Sequence, residues 1–232
     1  MPVSRLKYGL LFALLVVTSI LLTSLTVASP ADCCDPWEIP TDAGLAINNP
    51  DQFAWELFIA INYPADAAGR NPNPALPLGE PGVPLVWETW KLQEETFLPD
   101  GSDPGEWTAR SPYTARELNE LDCFPDQQPF ITGEEFVCDP GVSSNADEVR
   151  LNEATYNFIR DNNLYNIEGQ LAAYDAGQTI SFPPDSIEVK AQWRVITEED
   201  KPRYHWFEDA ATDQIMGLTG MHVISKALPD WL

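Results

Sequence analysis

The 232-residue sequence predicts an α+β fold: a single domain with long Pro-rich loops, its early helices packed on a mainly antiparallel C-terminal sheet. Three observations carry that reading. Apolar residues recur at helical spacing over Pro50–Ile61 and again over 147–161. Apolar and polar residues alternate without a break over Ile187–Val195. Two more strand-like runs follow, at 203–207 and Ile215–Ser225, so helices come first and strands last.

Residues 1–28 read as an export signal. Arg5 and Lys7 precede an apolar and hydroxyl run from 8 to 28, and Thr26-Val27-Ala28 closes it with the small-x-small pattern cut by a signal peptidase. Cleavage after Ala28 leaves 29–232 as an exported globular domain, periplasmic or secreted. The alternative is an uncleaved N-terminal anchor, because about 20 apolar residues cross a bilayer. Five Ser and Thr residues between Thr18 and Thr26 argue against a permanent span.

The chain holds 36 acidic and 13 basic residues, and loss of Arg5 and Lys7 takes the formal charge from −23 to −25. Nucleic acid is thereby excluded as a partner, since its binding needs clustered Lys and Arg that release counterions. A membrane partner is expected only through an uncleaved N-terminal segment. The classes that remain are small molecules, glycans and proteins. The even cysteine count, Cys33, Cys34, Cys123 and Cys138, suits an oxidising compartment. Cys123 with Cys138 is the preferred disulfide, closing the Pro-, Gly- and acid-rich loop 124–137. Cys33-Cys34 is left with a vicinal bridge, an interchain bond or crosswiring.

Helix Pro50–Ile61 has Asn49 to cap it, Pro50 at its first position, and Phe53, Leu57, Phe58 and Ile61 as its buried stripe, with Trp55 off that stripe. The loop 64–84 carries six prolines and three glycines. Residues 85–97 place Trp87, Trp90, Glu94 and Phe97 on one helical face, although Val-Trp-Glu-Thr-Trp opens equally well as strand. Trp87 and Trp90 are either core or a stacking platform for a sugar or ring ligand. Asp100, Asp103 and Glu106 form an acidic turn whose alternative use is weak calcium binding. Helix 147–161 buries Leu151, Ala154, Thr155, Phe158 and Ile159 under a cap from Ser144 or Asn145, with Arg150, Asn152 and Glu153 on a solvated face. A short helical piece follows at 170–175, closed by Gly177.

Strand Ile187–Val195 turns Glu188, Lys190, Gln192 and Arg194 to one face at intervals of about 7 Å. That row is either a cross-strand salt ladder or the wall of a cleft, which makes Lys190 and Arg194 candidate contact residues alongside the two tryptophans. In the last strand Gly217 and Gly220 allow close approach to the backbone. His205 and His222, the two histidines of the chain, fall on late strands. With Glu188 they are the candidates for a divalent metal site with an open position for water, and so for hydrolysis. No other cofactor is expected: Gly-x-Ser-x-Gly, Gly-x-x-x-x-Gly-Lys, Gly-x-Gly-x-x-Gly and Cys-x-x-Cys-His patterns are all missing from the sequence.

The segments Trp87-Glu88-Thr89-Trp90, Arg150-Leu151-Asn152, Asn163-Leu164-Tyr165-Asn166, Ile187 through Trp193 and Gly217-Leu218-Thr219-Gly220-Met221-His222 resemble a family of uncharacterised exported bacterial proteins. The likeness covers residues 53 to 232. It implies a shared fold and export, and it supplies no mechanism. Some members carry a cytochrome c-related label, which does not extend to a chain without a haem-attachment motif. The family pattern continues past Pro229-Asp230-Trp231, so a C-terminally shortened member is the expectation here.

The sequence therefore leads to an exported acidic globular protein, a binding or structural module, with a metal-dependent hydrolytic enzyme as the alternative.

Overall fold

A computed structural model of the chain describes residues 35–66, 70–108, 145–210 and 212–232. The export segment 1–28 and all four cysteines, with the Cys123–Cys138 pairing, lie outside the described residues. Among the described residues, no helix is long and apolar enough to cross a membrane.

Helix α1 (Ala43–Asn48) starts where the Asp42 carboxylate accepts the Gly44 N–H, and α2 (Pro50–Ile61) follows with Pro50 at its first turn. Asn49 is its cap by position, but the Asn49 amide donates to Gln52 instead of capping the backbone. Phe53, Leu57 and Ile61 are buried as their spacing requires, and Trp55 is exposed. Phe58, expected on the buried stripe, is 43% exposed and flanks an open cleft.

The segment 85–97 is neither one helix nor one strand. It breaks into a 3-10 turn (Trp87–Thr89), strand β1 (Lys91–Leu92) and a single helical turn, α3 (Gln93–Thr96). The helix expected over 147–161 is likewise divided. Strand β2 (Asn145–Leu151) occupies its first half, and α4 (Glu153–Asp161) begins only after Asn152. Asn152, not Ser144 or Asn145, is the cap. Its Oδ1 accepts the Thr155 N–H and hydroxyl and also the Ile187 N–H, while its Nδ2 donates to the Asp185 carbonyl. One side chain thus starts a helix and ties it to the first residue of β3. Arg150 and Asn152, expected on a solvated face, are both buried.

Helix α5 (Ile167–Asp175), capped by Asn166, ends before Gly177, whose φ of 64° is the left-handed geometry that glycine adopts freely. Strands β3 (Ile187–Val195) and β5 (Ile215–Ser225) form where the alternation predicted them. The run 203–207 does so only in part. A 3-10 segment (Glu198–Arg203) takes up its start, and strand β4 is Trp206–Glu208.

The five strands are ordered β1-β2-β3-β5-β4 and every neighbouring pair is antiparallel. Along β3, Ile187, Val189, Ala191 and Trp193 face a core shared with Phe53, Leu57 and Ile61 of α2 and with Trp87, Trp90, Trp107 and Tyr156. A smaller cluster joins Leu151 to Ile159, Leu164 and Ala173. The β3–β5 ladder slips by one residue: Gln192 pairs with Gly220 but Trp193 pairs with Leu218, leaving Thr219 as a bulge. The Thr219 hydroxyl fixes it by donating to the Gln192 carbonyl.

Candidate functional site

The two faces of the sheet separate the residues expected to share a metal. His205 lies on the core face, its ring 6.0 Å from that of Trp193 and its Nε2 2.8 Å from Glu88 Oε1. His222 pairs with Lys190, and Lys190 alternates away from Trp193, so His222 lies on the opposite face beside Glu188. Bonds of about 2 Å to one ion cannot bridge a sheet. The Glu188, His205 and His222 set is therefore not a metal site, and with it falls the hydrolytic enzyme built on those three residues.

Around His205 the core face carries a charged network that was not legible in the sequence. Glu88 is almost fully buried. Its Oε2 accepts the Leu85 N–H at 2.7 Å while Oε1 meets the half-buried imidazole. Further along, Glu148 and Arg150 form an ion pair with side chains only 1% and 7% exposed, at 2.5 Å from Nη2 and 2.7 Å from Nε to the same carboxylate oxygen. The other Glu148 oxygen accepts the Trp193 indole N–H at 3.0 Å, and Arg150 Nη1 donates to the Trp90 carbonyl at 2.7 Å. Both residues come from alternate positions of β2, opposite Ala191 and Val189, which is why a strand of this composition can face a core. Glu148 and Arg150 hold one another and fix the Trp193 indole and the Trp90 main chain. The arrangement is that of a satisfied buried network, in which the groups are engaged in structure rather than presented to a substrate.

Trp87 and Trp90, candidates for a stacking platform, belong to this interior. They are 0% and 5% exposed, and Trp87 packs 6.1 Å from Trp193. Neither is a surface contact residue, and the bulk that suggested stacking serves the core.

On the opposite face, Lys190 pairs with Asp147 across the ladder at 2.9 Å, so the polar row is in part the salt ladder that its pattern suggested. Arg194 is exposed at its end. Burial raises the Glu188 carboxyl above its ordinary range, opposed by the charges of His222 and Lys190. The acidic turn is spoken for as well. Asp100 accepts from the Ser102 N–H and hydroxyl, which holds its pKa down, Asp103 accepts from the Gly105 N–H, and Glu106 pairs with Arg160. Among the described residues, no three His, Cys, Asp or Glu side chains gather as a metal site. The close approach foreseen at Gly217 is made from within: a Cβ there would lie 2.8 Å from Ile196, with the Tyr204 ring next.

A cleft of about 370 Å³ opens between α2 and β5. Phe53, Ala54, Leu57 and Phe58 form one wall, Met221, His222, Val223 and Ser225 the other, and Leu232 closes an end. Of these, Phe53, Leu57 and Phe58 stood out in the sequence as core residues and His222 as a metal candidate, none of them as part of a cleft. The cleft joins residues more than 150 positions apart, a juxtaposition that no local spacing announces. Comparison of the chain with protein families, with curated proteins and with solved structures finds no match.

Proposed function

We propose that this chain is an exported binding protein whose ligand seat is the cleft between α2 and β5. One observation carries the reading: the cleft is walled by apolar side chains of which Ala54, Phe58, Met221 and Val223 remain partly or fully open, while the charged groups of the core face are engaged with one another. Concave, mainly apolar sites with a few polar groups are the usual form of a binding pocket. The volume suits an apolar group of moderate size, and the main chain of β5 with Ser225 supplies the polar groups.

Titration with Nile red, a neutral apolar fluorophore, tests it. Saturable binding of one dye per chain is expected. Ala54→Trp, at an exposed helix position on the cleft wall, fills the space without touching the core and should abolish it. Equal dye binding by Ala54→Trp, or none by the native chain, would overturn the assignment.

A further inference from the structure

The cleft runs beside an open sheet edge, and that edge specifies the class of ligand. In the β3–β5 ladder Lys226 donates to the Ser186 carbonyl, so the pairs 188–224, 190–222 and 192–220 exchange main-chain hydrogen bonds, whereas Val189–Val223 and Ala191–Met221 do not. The N–H and C=O groups of Met221 and Val223 therefore point away from β3. At one end of that outer edge, Leu218 donates to the His205 carbonyl, continuing the pairing with β4; at the other, Ser225 and Leu232 exchange two bonds. Between these two anchors, among the described residues, no backbone hydrogen bond reaches Met221 or Val223 from the outer side. The gap from Thr219 to Ile224 is about 20 Å long at the rise of a strand. Edges left open in this way are usually blunted by Lys, Pro or an inward charge, or by a bulge such as the one at Thr219 that begins this stretch. Beyond that bulge, Thr-Gly-Met-His-Val-Ile carries none of these.

Resting on the reading of the cleft as a ligand seat, we infer that the occupant is an extended, basic and apolar segment of another protein, added as a strand to the outer edge of β5. Its main chain would bond to Met221 and Val223. Alternate side chains would drop into the cleft against Phe53, Leu57 and Phe58, and those between them would face outward. The formal charge of −23 on the protein favours Lys and Arg at the outward positions, and Asp51 lies exposed in the first turn of α2, the helix that forms the facing wall. Strand addition divides recognition in this manner, main chain for affinity and alternate side chains for selection.

The test uses the full chain and a fluorescently labelled, capped Lys-Val-Lys-Val-Lys-Val peptide, read by anisotropy, with amide exchange at Met221 and Val223 as the local readout. One-to-one binding, slowed exchange at those two amides and loss of binding in Ala54→Trp are expected. Methylating the peptide nitrogens that face the edge keeps its charge and side chains, and should weaken binding roughly tenfold or more by removing main-chain hydrogen bonds. A Glu-Val counterpart should fail. Equal affinity of the methylated peptide, or of Lys-Lys-Lys-Val-Val-Val, overturns strand addition. Nile red binding without peptide binding overturns this inference and leaves the ligand seat standing, whereas loss of both removes the seat itself. A concentration-dependent dimer that protects Met221 and Val223 makes a second copy the occupant, and equally overturns it.

Discussion

Replacing Arg150 by Met should be among the most damaging single changes in the domain. The guanidinium is 7% exposed, gives two bonds to Glu148 and one to the Trp90 carbonyl, and stands against a carboxylate that is 1% exposed. Methionine fills similar space but leaves the Glu148 charge inside the core without this cation. Removing one member of a buried ion pair costs about 3–5 kcal/mol, more than the pair itself contributes, because the remaining charge keeps its desolvation penalty. For a domain of this size that corresponds to a fall in Tm of roughly 6–20 °C. Urea unfolding followed by tryptophan fluorescence measures it directly, and near-UV circular dichroism reports the environment of Trp193, which Glu148 anchors. One internal check separates charge from shape. Adding Glu148→Gln, which removes the charge and retains an acceptor for the indole, should restore part of the loss. A deficit below about 1 kcal/mol, or a double variant no more stable than the single, would refute the view of Glu148 and Arg150 as mutually neutralising interior charges.

Two further outcomes follow from the sheet and the helices. Burial raises the folded pKa of Glu188, so its cost is absent below the ordinary carboxyl value of 4.5 and fully present once pH passes the raised value; Glu188→Gln should therefore stabilise the domain at pH 7 and make no difference near pH 3, as seen by chemical denaturation at the two pH values. Gly169→Ala should destabilise the domain although helix propensity alone predicts a gain, because its Cβ would fall 1.7 Å from the Asn163 carbonyl oxygen, and soluble yield and Tm both report it.

Elements whose burial follows a simple period were legible. Helix α2 and strand β3 obey one, and their bounds follow the pattern of their side chains; β5 has the bounds its run suggested, but the bulge at Thr219 breaks its alternation. Strand β2 was not, because Asp147, Glu148 and Arg150 look like the outer face of a helix when each charge is judged alone. In the fold two of the three face the interior and neutralise each other there, a pairing invisible to a pattern that sorts residues into apolar and polar. Asn152 was equally hidden, since a cap is recognisable only once the helix start is known. The histidines failed for a different reason. Sequence placed both on late strands, but His205 falls just before β4, its ring joins Trp193 on the core face, and the partner of its Nε2 is Glu88, 117 residues away. The cleft was less accessible still, being made by the end of the sheet passing beneath the first long helix.

The bulge at Thr219 gives β5 an unusual tolerance. Losing one residue from a strand ordinarily turns every side chain beyond the break to the wrong side of the sheet. Here Leu218 and Gly220 already sit opposite consecutive residues of β3, so a chain lacking Thr219 would run straight through with Leu218, Met221 and Val223 facing as before. Position 219 is thus a place where this strand can lose a residue without inverting the faces of those around it.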